Sequence, residues 1–159
     1  MQRLYGRTVR GQRAYGIVPH GHYVSVTMVS AIRLSGVFAG HSFVGSMNAG
    51  RFRAWVKEHL VPGLTQGDVV VMDNLASHKD REAREAIEAV GARALYLPPY
   101  SPDFNPDEKV CSKTKALLRR MAERTVDGLL AVIGQAIASI TPQDCAGFFH
   151  HCGYVKTNS

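Results

Sequence analysis

The first 57 residues contain no aspartate or glutamate. In that span Arg3, Arg7, Arg10, Arg13, Arg33, Arg51, Arg53 and Lys57 supply eight positive charges, while all thirteen acids of the 159-residue chain lie from Glu58 onward. A solvated surface normally interleaves both signs, so an acid-free third with four arginines in its first thirteen residues favours contact with phosphate. A basic surface without a ligand is the equal alternative on charge alone. The net charge of +6 and isoelectric point near 9.5 agree in sign but identify no partner.

Long apolar runs are missing too: none approaches the roughly 20 residues of a membrane span. No signal-peptide apolar core follows the basic N-terminus "MQRLYGRTVRGQR", so a cytoplasmic protein is expected. Cysteine is scarce and odd in number. Cys111, Cys145 and Cys152 lack disulfide-framework spacing and read as reduced thiols. The cluster "CAGFFHHC", with His150 and His151, has the residue types of a zinc site. Adjacent helical histidines diverge by about 100°, however, and paired Cys-x-x-Cys knuckles are absent, so a Phe/Cys core face on a C-terminal helix is preferred.

What is present is the patterning of an α/β domain. The length suits one domain, residues 1–159, with no linker, internal repeat or low-complexity stretch. Alternation with β-branched enrichment predicts two antiparallel strands, His22 to Arg33 and Val37 to Val44, joined at Ser35 and Gly36. Asn48 is placed to cap a helix in which Phe52, Trp55, Val56, His59 and Leu60 follow helical spacing until Pro62 and Gly63. Val69 to Met72 is a continuous apolar run, expected to be a strand buried on both faces in a partly parallel sheet. "SHKDREAREAIEAVGA" then predicts an amphipathic helix with Ala83, Ala86, Ile87 and Val90 inward and Gly91 as a left-handed stop. A short strand, Arg93 to Leu97, completes a strand–helix–strand unit. Helices are further expected from "NPDEKVCSKTKALLRRMAE", from Thr125 to Ile140, and after "TPQD".

The stretch "LPPYSPDFNPDE" packs four prolines into twelve residues and ends on adjacent carboxylates. Proline restricts the unfolded chain, so such a loop holds a defined path at low entropic cost. It leads from a strand end into a helix where Asn105 is a good N-cap, Pro106 fits the first position and Asp107 and Glu108 occupy the first turn. Asp73 closes the earlier strand, with 34 residues between it and Glu108. Two carboxylates gathered at a sheet's carboxyl edge repel unless a cation lies between them, and hard divalent ions take such oxygens as ligands. Each acid also has a plain structural reading. Asp73 can open an Asp-Asn turn, Glu108 can complete a capping box, and Asp107 can simply favour the helix N-terminus.

Together, "VVVMDNLASHK", "ALYLPPYSPDFNPDE" and "KTKALLRR" resemble the catalytic domain of bacterial insertion-sequence transposases of the mariner superfamily, the insertion sequence 630 type with a DDE endonuclease domain. The resemblance runs through "RLYGRTVRGQRAYGIVPHGHY" and "GSMNAGRF" and so extends over essentially the whole chain. It implies an RNase H-like mixed sheet flanked by helices, and Mg2+-dependent cleavage of DNA with transfer of the freed 3′-OH into a target. Mn2+ is a substitute metal. Asp73 matches the family's second catalytic, metal-binding acid and Glu108 its third. Arg3, Arg7, Arg10 and Arg13, with His78 and Lys79 of the family's "SHK" stretch, are the expected DNA contacts. Transposon ends and target DNA are the implied partners, with a homodimer or a complementing upstream transposase fragment, in the bacterial nucleoid and with no membrane.

The sequence also departs from that family. The family's first catalytic Asp ends the first strand, upstream of the basic segment, whereas this sequence starts inside that segment. The first, central strand and any N-terminal DNA-recognition region are therefore expected to be missing, as in an N-terminally truncated chain. A sheet lacking its central strand exposes edges that invite aggregation or pairing with another chain. Cys111 replaces an aromatic ring and Asp107 a commonly aliphatic residue. Two readings stay open: the catalytic portion of a transposase, and an inactive remnant keeping at most nonspecific DNA binding.

Overall fold

The computed structural model describes residues 7–13, 15, 24–123 and 125–154. The expected hairpin forms from β1 (Val26–Arg33) and β2 (Gly36–Val44), antiparallel and closed by a two-residue turn in which Arg33 pairs Gly36. Gly36 takes φ +138°, a backbone that only glycine adopts readily. β1 begins at Val26, later than expected; His22 and Tyr23 lie outside the described residues. The ladder shifts between Val29 and Ala31, so two residues of β2, Ala39 and Gly40, face one of β1, Ser30. This is a β-bulge. It accounts for the left-handed backbone of Ala39 (φ +52°), whose carbonyl accepts the Trp55 indole N–H at 2.7 Å.

Side-chain alternation lets the hairpin serve two helical layers. On one face Val29, Ala31 and Phe38 pack on α1 (Ala49–Trp55) and on the wider turn, Val56–Leu60, and tighter turn, Val61–Gly63, that continue it, through Phe52, Trp55, Val56 and Leu60. On the other face Met28, Ile32 and Val37 meet α3 (Asp107–Met121), α4 (Val126–Ala138) and α5 (Pro142–His151), whose buried residues include Val110, Leu118, Val132, Ile133 and Cys145. Asn48 caps α1 as expected, accepting the Arg51 N–H at 2.9 Å. Thr141 and Asp144 form the capping box of α5.

β3 (Val69–Met72) and β4 (Arg93–Tyr96) pair in parallel around α2 (Arg81–Ala89), which confirms the strand–helix–strand unit. Ala83 and Ile87 of α2 are fully buried, and Gly91 stops the helix at φ +78°. Two details differ from expectation. α2 starts at Arg81 because the Asp80 carboxylate caps the Ala83 N–H and is itself gripped by the Arg53 guanidinium, leaving Ala76–Lys79 as a short 3-10 turn. β3 is not buried on both faces: Val69 is 49% exposed and its other residues are half-buried. Its one ladder partner is β4, and β1–β2 and β3–β4 are two separate two-stranded sheets among the described residues.

Ile87, with no exposed surface, joins the α1 and α2 layers to β3. Ile87→Ala should lower the unfolding free energy in urea by about 2–5 kcal/mol, and Ile87→Val by about 0.5–1.5 kcal/mol. A change below both ranges would mean the two layers are not packed through this residue.

Candidate active site

The carboxyl end of β3 delivers Asp73. Its side chain closes a local turn with the Leu75 N–H at 3.4 Å, the behaviour expected of an Asp-Asn turn. It also faces His78, whose Nδ1 lies 2.5 Å from Oδ1 without the alignment of a hydrogen bond. His78 is held in turn: its ring stacks on Phe52 with centroids 4.4 Å apart, and its carbonyl accepts the Tyr96 hydroxyl at 3.1 Å. The imidazole therefore acts on Asp73 from within the core, with 17% of the side chain exposed.

Glu108 arrives from the other side. The Leu97 N–H extends the β3–β4 ladder onto the Met72 carbonyl at 2.8 Å, after which the Pro-rich loop turns back over the strand ends. Tyr100 takes φ +56° there and is fully exposed, an uncommon conformation for a non-glycine residue and one that clusters at functional loops. The loop's far end is tied down where the Tyr154 hydroxyl donates to the Phe104 carbonyl at 2.8 Å. Asn105 carries the capping duty expected of it, accepting the Asp107 N–H on its side chain at 3.1 Å and the Glu108 N–H on its carbonyl at 3.2 Å. Pro106 has helical dihedrals, so the regular helix is counted only from Asp107. Among the described residues no donor engages the Glu108 carboxylate, and the capping-box reading of this side chain has no hydrogen bond to support it.

Asp73 and Glu108 line a common cleft of about 480 Å³ with Asn74, Lys79, Tyr100 and Asn105. Asp107 is absent from that lining, but with Asp73 and Glu108 it borders a cavity of about 710 Å³ between the two sheets. It accepts the Ser30 hydroxyl at 2.8 Å, from the β1 position opposite the bulge. Burial pushes its carboxyl up to about 6; the Ser30 bond opposes that shift, and the negative charges of Glu108 and Asp73 add to it. Cys111, one turn along α3, is pushed up to about 12 by burial and by Asp107 and Glu108, and so remains a thiol at neutral pH.

Of the arginines expected at DNA, Arg7, Arg10 and Arg13 are exposed, and Arg3 lies outside the described residues. Other cations of the acid-free third are engaged internally. Arg53 forks onto Asp80 and Glu82, Lys57 reaches Glu82, and Arg33 pairs with Asp68. Ser30 and Tyr100 were not singled out from the sequence. A hydroxyl inside a β-branched strand was the available signal for Ser30, whereas the backbone twist at Tyr100 has none.

The donor set suits a hard divalent cation. Two carboxylates face one cleft, and carboxylate oxygens are the ligands such an ion takes. The set is incomplete, since among the described residues no group of three or more Asp, Glu, His or Cys side chains could hold an ion.

Asp107 sets a pH dependence. Between its ordinary value of 3.8 and about 6, the folded chain keeps a proton that the unfolded chain has released, so this group's contribution to stability falls as pH rises through that window. Thermal melts in chelator from pH 4 to 7 should show Asp107→Asn gaining stability on the wild type as pH rises, with little difference at the acid end. A constant difference across the range would place the raised carboxyl elsewhere.

Residues 1–129 match the family described as DDE superfamily endonuclease. Among solved structures, the chain is similar to the Mos1 transposase paired-end complex with left transposon end, with TM-score 0.64 and 16% identity over 94% of this chain and 47% of that one. It is also similar to the catalytic domain of Mos1 mariner transposase, with TM-score 0.57 and 16% identity over 81% of this chain and 74% of that one. These likenesses establish the fold, which is RNase H-like as expected. The chain spans about half the length of the first of them. No curated protein matches the sequence. Among the described residues no helix is long and apolar enough to cross a membrane.

Proposed function

The chain belongs to the DDE superfamily endonucleases, and from that premise we propose that it is catalytic-domain sequence of a bacterial DNA transposase of the insertion sequence 630 type, acting on transposon ends and target DNA in the nucleoid. The observation that carries this reading is the convergence of Asp73 and Glu108, from a strand end and a helix start, on one open cleft. Asp73 and Glu108 would hold the metal, Mg2+ with Mn2+ as a substitute. When bound, a metal pair supplies activation of the attacking oxygen and charge relief at the leaving oxygen.

The chain's own residues prepare that cleft. His78 fixes the rotamer of Asp73, and Lys79 places a positive charge on the rim for a phosphate. The exposed Tyr100 ring is available to stack on an unpaired base, and Arg7, Arg10 and Arg13 are available to the backbone. One observation favours a second reading, a non-cutting DNA binder. Residues 1–57 offer no carboxylate, and Asp107 is turned onto Ser30, so among the described residues no third free acid joins Asp73 and Glu108.

Nicking of supercoiled plasmid in Mg2+ and in chelator tests the two. The transposase reading expects metal-dependent nicking abolished by both Asp73→Asn and Glu108→Gln, and divalent-ion affinity weakened about 10–100-fold by His78→Ala. Absence of nicking at every concentration, with DNA affinity unchanged or tighter in Asp73→Asn, selects the non-cutting binder. In either case the arginine arm predicts steep salt dependence. Replacing Arg7, Arg10 and Arg13 together by Gln should flatten the slope of log affinity against log salt by about three, and an unchanged slope removes the arm from the interface.

A further inference from the structure

The Pro-rich loop that leads to Glu108 is held at its helix end by a residue 50 positions away. Where the loop leaves β4, the Leu97 N–H on the Met72 carbonyl secures it. Between there and α3, among the described residues, all hydrogen bonds of residues 98–105 but one stay inside the loop or the first turn of the helix. The exception is the Tyr154 hydroxyl, which donates to the Phe104 carbonyl at 2.8 Å. Phe104 immediately precedes Asn105, whose side chain and carbonyl take the amides of Asp107 and Glu108.

The backbone around Tyr154 is itself fixed. Gly153 turns left-handed at φ +80°, its N–H returns to the His150 carbonyl at 3.0 Å, and the Tyr154 N–H returns to the Phe149 carbonyl at 3.0 Å. These two bonds are the Schellman stop of α5, and the apolar contact that accompanies such a stop is the Phe149 ring meeting the Tyr154 ring edge-on, with centroids 5.9 Å apart. α5 is fastened to α3 over its length as well. Asp144 in its first turn pairs with Lys113, and Cys145 and Phe148 pack with Val110. The helix is thus a strut laid along the start of α3, with the tyrosine hydroxyl at its tip. We infer that Tyr154 is a positioning residue for Glu108, an assignment that rests on reading Glu108 as a metal-holding acid. No donor engages the Glu108 carboxylate among the described residues, so the backbone of the first turn sets its place. Tyr100 supplies the reason a tether is needed. Its left-handed backbone, φ +56°, persists only while both ends of the loop are restrained, and Pro98, Pro99 and Pro102 leave little freedom to absorb a release locally.

Tyr154→Phe removes the hydroxyl and keeps the ring. In the metal-free chain, amide hydrogen exchange at Asn105, Asp107 and Glu108 should quicken about two- to tenfold, the range one hydrogen bond supplies, with β3, β4 and α2 unchanged. With Mn2+ alone as the probe, followed by its paramagnetic resonance, the dissociation constant should rise by a similar factor. Combined with Glu108→Gln, Tyr154→Phe should weaken Mn2+ binding no further, because the tether acts through that carboxylate. Unchanged exchange at the three amides overturns the proposal whether or not Mn2+ binds. Equal acceleration in every element, or full additivity with Glu108→Gln, also overturns it, in favour of a role in general stability. A wild type that binds no Mn2+ overturns the metal reading of the cleft, and the exchange result then decides by itself whether Tyr154 positions the first turn of α3.

Discussion

Negative charge gathers at the carboxyl end of β3, and much of the surrounding structure follows from how that charge is accommodated. Asp73 leans on His78, which is wedged against Phe52. Asp107 turns away to the Ser30 hydroxyl and holds its proton up to about pH 6. Glu108 is left open to the cleft, where the dipole of α3 favours it and no side-chain donor neutralises it. Each carboxylate thus has a different degree of freedom to meet a cation, although all three lie on two short stretches of chain. The Pro-rich loop matters because it sets where α3 begins, and with it which of two adjacent acids faces the cleft.

The layers around that end were largely legible in the sequence. Val69 to Met72, the Ile87 face of α2 and the stop at Gly91 are local patterns whose physics does not depend on distant residues. The pairing of Asp73 with Glu108 was legible as well, through the strand–loop–helix grammar around them. Harder to read was anything decided by packing across the sequence. That Ser30 would reach Asp107 depends on a bulge at Ala39 and Gly40, whose positive φ falls on an alanine instead of the glycine a reader would choose. That Asp80 would cap α2 depends on an arginine 27 residues away. The burial of β3 was overestimated because hydrophobicity reports what a strand is made for, and among the described residues only one of its edges is paired.

The charge asymmetry changes meaning in three dimensions. Eight cations without one acid in the first 57 residues look like a single basic surface. Folding brings downstream acids to three of them, so Arg33, Arg53 and Lys57 serve as ties between β1 and β3 or between α1 and α2. Arg7, Arg10 and Arg13 on the N-terminal arm stay exposed instead. Segregation of sign along a chain can therefore mark internal stitching as readily as an external ligand.

The bulge has one more consequence, an optical one. Trp55 is the chain's single tryptophan, its indole N–H is fixed to the carbonyl of Ala39 at the bulge, and it lines the cavity between the two sheets. Tryptophan emission from the whole protein therefore originates at one point, where the hairpin, α1 and the gap between the sheets meet. The molecule carries its own fluorophore at the place where its sheet is interrupted, and the colour and quenching of that light register the polarity of the gap without any added label.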